Sequence, residues 1–500
     1  MAPQPLPEEL LTQMCSYLCP HCQTPDDFPN TDEPCVRDSK ATLARLCLVS
    51  KRMLAIAQPI LYHYYATGNI IGPLNPMVSD YPTADDKLPS FLRTIIQHPI
   101  LAAHIRTLQL QETQTPNLPA FLPVLLPLFN STSKTHDIQT PRSLQWVIDP
   151  TLPRPKKPNE KKTRIAIHHW LRELAIILTP RTERLMFGHS HFKPRSYIER
   201  PSARLPALTS ISFRSGVKGY NLAMMPPLIR MAPNLVSLHA TDILGYYGEG
   251  VAPLSLPKVR RFVAEGLGMN VFGEVVMWCG GLRDVEYYYC HALHGVEMLR
   301  ALAPLRGVLR RFCLMFISGR LASYSDVSTP YENFVWTTRH RTIESLREFW
   351  QLEELVMDQW ALFCHADGYG DPKRLVTLLP PSIQTVHFRY VYISMQAELQ
   401  QLAAAVPNQF PKLRRLKIDI ANNCKPERRH ELEHMRSVEI DFAHVGVQVE
   451  WGVDGGYPCP GSAMPRHTVF PEWAPVDSPS ADSSRPPRPK TQLPDVAGAE

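Results

Sequence analysis

One short template recurs along most of this chain and limits what it can fold into. Leu-x-x-Leu-x-Leu, with other apolar residues accepted at the fixed positions, begins at Ile105/Leu108/Leu110. It returns as Leu208/Ile211/Phe213, Leu235/Leu238/Ala240, Val259/Phe262/Ala264, Leu282/Val285/Tyr287, Leu309/Phe312/Leu314, Leu352/Leu355/Met357, Ile383/Val386/Phe388 and Leu413/Leu416/Ile418. Weaker copies stand at Thr182/Leu185/Phe187 and Met435/Val438/Ile440, with a trace around Leu144 and Trp146. From Leu208 onward the starts lie 27, 24, 23, 27, 43, 31, 30 and 22 residues apart. A leucine-rich array repeats every 20–29 residues or so, each unit giving a strand and a helix that must stack on neighbours to bury their apolar sides. The fold class expected is therefore α/β, with a leucine-rich-repeat-like solenoid over 88–450. An ordinary α/β domain is the alternative. The 43-residue interval calls for an insertion around "SYSDVSTPYEN".

Strand alternation sends the fixed positions inward and the x positions to the opposite face. Asp284, Glu286, Tyr288, Arg311, Glu354, Asp358, His387, Arg389, Arg415 and Lys417 should share that face. A ligand on this face would contact Tyr288, Arg311, Glu354, His387 and Arg389.

The remaining chain reads differently at its two ends. From about 455 to 500 the apolar period disappears, and ten prolines fall between Pro458 and Pro494. Such a composition buries too little to offset the entropy of ordering, so a disordered tail is expected. Residues 5–65 read instead as a short helical unit. Leu10, Leu11, Met14, Tyr17 and Leu18 share one helix face, and Glu8 and Glu9 suit its N-terminus. A second short helix is expected from about Leu43 to Leu48, after an inserted loop at about 19–42. Ser50 suits the N-cap of a third helix, which Pro59 should stop or kink. Without the loop the unit has only about 36 residues, fewer than the roughly 40 that fold unaided. Its many apolar residues exceed what three short helices can bury among themselves. The surplus must face the repeats, as a cap, or another protein.

"LPEELLTQMCSYL" followed by "LARLCLVSKRMLAIAQPILY" resembles an F-box, and the continuation into irregular repeats is similar to fungal-type members of that family. Leu6, Pro7, Glu9, Leu10, Met14 and Leu18 match the first half of the pattern, and Leu46, Val49, Ser50, Lys51, Arg52 and Met53 the second. The sequence departs from the pattern in its long spacer after Leu18 and in Met53, where tryptophan is frequent. The resemblance implies a non-catalytic substrate receptor: the F-box docks a Skp-type adaptor, which joins a cullin and RING ligase that ubiquitinates whatever the repeats hold. It places Leu6, Pro7, Leu10, Met14, Leu18, Leu46, Val49 and Met53 at the adaptor. A leucine-rich scaffold without a ligase role is the alternative.

Other motifs carry less. Five of eleven cysteines fall within the first 47 residues. "CPHC" at 19–22 has the spacing of a zinc knuckle, and Cys35 and Cys47 could complete four ligands. A second paired knuckle is missing, so ordinary thiols, and no cofactor, are expected. A zinc-dependent binding module remains a remoter alternative. "RPKKPNEKKTR", 154–164, is read as a solvated loop rather than an import signal. His168-His169 and His189-x-His191 lack partners at ligand spacing. There is no G-x-S-x-G, no P-loop and no G-x-G-x-x-G following a strand, and "DGYGD" at 367–371 lacks a phosphate loop's lysine. The net charge of +6 is small for 500 residues, which argues against nucleic acid as a partner. The apolar window "LPAFLPVLLPLF", 118–129, is too short to span a bilayer, and three prolines spaced by four argue against a regular helix there. With no secretory signal visible, residence in the cytoplasm, the nucleus or both is expected.

Overall fold

In the computed structural model the template positions become the strands of one parallel sheet. The structure describes residues 6–23, 28, 34–67, 87–111, 118–136, 138, 140, 145, 151, 160–188, 204–214, 220–221, 226–241, 243–244, 255–289, 293–316, 342–362, 371–391, 395–420 and 429–453. The strands are β1 (Tyr64–Ala66), β2 (Thr107–Gln111), β3 (Arg184–Gly188), β4 (Ser210–Arg214), β5 (Tyr220–Asn221), β6 (Ser237–Thr241), β7 (Ile243–Leu244), β8 (Arg261–Glu265), β9 (Asp284–Tyr289), β10 (Arg311–Phe316), β11 (Glu354–Asp358), β12 (Thr385–Val391), β13 (Arg415–Ile420) and β14 (Gln448–Val453). Twelve of them form a single parallel sheet in chain order, β1-β2-β3-β4-β6-β8-β9-β10-β11-β12-β13-β14, while β5 and β7 pair separately.

The register explains why the template works. Val285, Phe312, Leu355, Val386 and Leu416 lie side by side across five strands, and Tyr287, Leu314, Met357, Phe388 and Ile418 form the next row. All ten are buried in one continuous core. Each such side chain contributes roughly 1.5–3 kcal/mol by leaving water. Helices between strands cover this face; Phe272, on Met269–Trp278, packs on Phe262 and edge-on to Tyr287. The polar backbone is matched in the same regular way. The carbonyl preceding each strand accepts the first N–H groups of the next strand: His63 from Thr107, Arg106 from Arg184, Glu183 from Ser210, and so on to Arg414 from Gln448.

Four helices precede the sheet: α1 (Glu8–Ser16), α2 (Pro20–Gln23), α3 (Pro34–Leu46) and α4 (Lys51–Leu61). They enclose a second, smaller core of Cys15, Cys19, Leu43, Ile56, Ala57 and Ile60. The Ser50 side chain caps α4 by accepting the Met53 N–H. No helix among the described residues is long and apolar enough to cross a membrane.

Several local expectations change. The second helix begins at Pro34, within residues assigned to a loop, and the chain already makes a helical turn at α2. Pro59 lies inside α4, which ends two residues later at Leu61. The proline-rich window forms the helix Leu118–Thr135. Spacing the prolines by four aligns their lost hydrogen bonds along one strip, where Pro127 is exposed, while Leu125, Leu126 and Phe129 are buried elsewhere on the helix. Met435/Val438/Ile440 is not a strand but part of the helix Arg429–His444, with Ile440 exposed, because Leu-x-x-Leu spacing is also helical spacing. The strand it stood for is β14. It follows Gly446, whose positive φ of 75° ends the helix as Val447 N–H bonds back to the Phe442 carbonyl. Strand β1, within "YHYYA", was read as the close of the helical unit. The segments around Leu144 and Trp146, "SYSDVSTPYEN", His189-x-His191 and the tail from 455 lie outside the described residues, as does most of "DGYGD".

Candidate functional site

The N-terminal helices leave a concentrated apolar surface. Leu6, Leu10, Met14 and Tyr17 are exposed on and beside α1, and Leu48 and Val49, at the turn into α4, are 86% and 69% exposed. The Arg52 guanidinium donates to the Leu6 carbonyl, which brings the start of α1 beside that turn. Of the residues assigned to an adaptor, Leu6, Pro7, Leu10, Met14 and Val49 are exposed. Leu18, Leu46 and Met53 are half-buried and pack against the small core. Leu48, Tyr17 and the partly exposed Leu54 were missed. In "LCLV" only part of a four-residue apolar run can turn toward so small a core, and that was the available signal.

The second candidate surface is the sheet face opposite the large core. Strand register does place Tyr288, Arg311, Glu354, His387 and Arg389 on one face, with Asp284, Glu286, Asp358, Arg415 and Lys417. They are not, however, an open row of solvated side chains. Arg261 donates to Glu286 at 2.9 Å, and the Tyr288 hydroxyl donates to the same carboxylate at 3.0 Å. Arg311 approaches Glu354 at 3.5 Å. His387 meets Asp419 at 2.7 Å, with Arg389 at 3.5 Å from the same oxygen, and Arg415 pairs with Glu450. Tyr288, Glu286, Asp358, Arg389 and Asp419 are buried. Among the five proposed client contacts, the Glu354 side chain remains the most accessible.

Charge on this face is set by competition between burial and pairing. Burial alone would raise the Glu286 carboxyl, but Arg261, Arg311 and the Tyr288 hydroxyl outweigh it and hold the group below its ordinary range. Burial, then the Glu286 charge, pushes the Tyr288 phenol up. The Cys313 thiol, on the same face, is raised chiefly by burial. These groups are ionised or neutral as the pairing requires, and their arrangement is a matched ladder rather than a nucleophile beside a base.

The cysteines divide. Cys19 and Cys22 lie together, and the side chains that join them are His21 and His63, not Cys35, which is exposed and outside the group, or Cys47. Hydrogen bonds from the Cys19 thiol and from the His21 and His63 rings draw the Cys22 thiol well below its usual range. His168 and His169 are buried within the helix Glu160–Leu178, whose first residues include the end of the basic run. Compared with known proteins, the chain matches no protein-family model and no curated protein sequence.

Proposed function

We propose that the chain is the substrate-recognition subunit of an SCF-type ubiquitin ligase, in which α1 and the α3–α4 turn dock a Skp-type adaptor and the sheet region holds a protein client. The observation that carries this reading is the exposure of Leu10, Met14, Leu48 and Val49 on helices whose own core is already closed. Exposed apolar side chains of this kind raise the free energy in water, and covering them with a partner lowers it. The residues exposed are largely those that the F-box resemblance assigns to the adaptor. The protein then works by bringing an adaptor-bound ligase and a client together, and contributes no bond-making chemistry of its own.

The finer reading of the sheet region is a leucine-rich solenoid. It is supported by the strict chain order of parallel strands and by the same carbonyl-to-strand hydrogen bonds at successive junctions. Parallel strands stacked in this way leave one long face for a client. A scaffold whose helices merely cap the sheet accounts for β1, which continues from α4 and pairs with β2. It leaves the exposed Leu48 and Val49 without a purpose.

Affinity capture of the full chain from its native cell, with peptides identified by mass spectrometry, tests the assignment. Peptides of a Skp-type adaptor and a cullin should be recovered, and both should disappear together from the Val49→Asp variant. Reproducible recovery of neither with the native chain would transfer the protein to the scaffold class.

A further inference from the structure

The knuckle Cys19-Pro20-His21-Cys22 meets His63 across the junction between the helices and the sheet. The ligand atoms of Cys19, His21, Cys22 and His63 all lie within 4.8 Å of one another, and among the described residues no other group of three or more His, Cys, Asp or Glu converges in this way. The Cys22 sulfur is 3.4 Å from Nδ1 of His63 and 3.8 Å from Nδ1 of His21, and the Cys19 sulfur is 3.9 Å from Nδ1 of His63. A tetrahedral zinc ion with bonds of about 2.3 Å to sulfur and 2.0–2.1 Å to nitrogen requires sulfur–nitrogen edges of roughly 3.6 Å. The observed edges bracket that value.

We propose that Cys19, His21, Cys22 and His63 hold one structural zinc ion that fastens the N-terminal helices to the first strands of the sheet. Local structure builds the site from both sides. After α1 the chain turns tightly, with the Cys22 and Gln23 N–H groups both donating to the Cys19 carbonyl at 3.0 Å, so the two sulfurs fall on one side. His63 lies between α4 and β1, and its carbonyl accepts from Arg106 and Thr107 as the first rung of the strand-to-strand series. Its backbone is therefore tied to the sheet. Glu183 occupies a later rung of the same series, pairs with Arg106 at 3.0 Å, and lies 3.9 Å from Nε2 of His21. A histidine with one nitrogen toward a metal and the other toward a carboxylate is a common outer-shell arrangement.

Chemistry selects the metal. Two thiolates and two imidazoles neutralise a divalent ion and suit zinc, whereas magnesium and calcium require oxygen ligands. Of the other buried thiols, Cys279 belongs to the large apolar core and Cys313 lies on strand β10, and neither is part of this group. The site also gives the spacer after α1 a purpose. Phe28 lies under the Arg184 guanidinium of β3, and the Lys40 ammonium sits over the Tyr64 ring of β1, so these two residues beyond α1 contact the first strands of the sheet. A six-residue buried core is small for an independent unit, and metal binding adds directly to folding stability.

The inference is independent of the ligase reading. Full-length protein, purified without chelator or histidine tag, should contain one zinc per chain by mass spectrometric metal analysis. His63→Ala and Cys22→Ser should lower bound zinc by at least about tenfold, while Cys35→Ser and Cys47→Ser keep it. The wild-type chain provides a readout that does not depend on variant folding: stripped of metal and given cobalt(II), it should show the visible bands of tetrahedral cobalt together with thiolate charge transfer. Wild-type protein that lacks zinc and gives no such spectrum, or that contains a Cys19–Cys22 disulfide, overturns the site. So does a Cys19→Ser/Cys22→Ser chain that keeps its zinc.

Discussion

The N-terminal helices and the sheet region spend their apolar residues in opposite ways. In the sheet, template residues such as Phe312, Leu355 and Phe388 are wholly buried, and the polar side chains of the opposite face pair with one another. In the helices, six residues form the closed core while Leu10, Met14, Leu48 and Val49 stay in water. A repeated unit can bury its grease against the next copy of itself; a single short unit has no next copy. The two regions differ in what they leave over: the template residues of the sheet are buried, and Leu48 and Val49 are not.

Truncation should separate the two regions most sharply. Phe388→Ala, within the large core, is expected to cost about 3–5 kcal/mol, read as a fall in the denaturation midpoint. Leu48→Ala removes an apolar side chain of comparable type from the surface and should change stability by less than about 0.5 kcal/mol. Equal losses at the two positions would mean that Leu48 belongs to a core after all.

Breaking the ladder on the sheet's polar face should come next in size. Arg261→Ala leaves the buried Glu286 carboxylate without its nearest cation and should cost about 3 kcal/mol at neutral pH. Because Glu286 titrates lower in the folded chain than its ordinary value, its contribution is full above the unfolded carboxylate range. It is lost as pH falls through the folded value. Glu286→Gln should therefore flatten the acid limb of the stability profile by up to one proton, about 1.4 kcal/mol per pH unit at its steepest. An acid limb as steep as that of the native chain would remove Glu286 from the account.

Much of the sheet was legible because burial alone writes a period into sequence. Ile105, Leu208 and Leu413 announce their strands without knowledge of any neighbour. The failures share a cause in geometry that a linear reading lacks. Met435 and Val438 fit both the strand template and a helix face, and only Gly446 and the edge of β13 decide between them. Three prolines spaced by four were taken to break a helix, yet the chain is helical over Leu118–Thr135. The "CPHC" knuckle is visible in the sequence, but the histidine that meets it is not one of the nearby residues. His63 lies 41 residues beyond Cys22 and reaches it only because α4 returns the chain to the start of the sheet. The apolar surplus of the helices was legible as pattern, whereas the exposure of Leu48 belongs to the folded chain.

The central claim is that the exposed face of the helices is an adaptor site. Titration of purified full-length chain with a purified Skp-type adaptor in a calorimeter tests it directly. Saturable binding at one adaptor per chain is predicted. Leu10→Asp/Val49→Asp should weaken it by at least about a hundredfold, because burying a charge in an apolar interface costs several kcal/mol, and should leave the melting temperature of the free chain within about 2 °C. A folded native chain that takes up no adaptor, or a double variant that binds as tightly as the native one, would contradict the account.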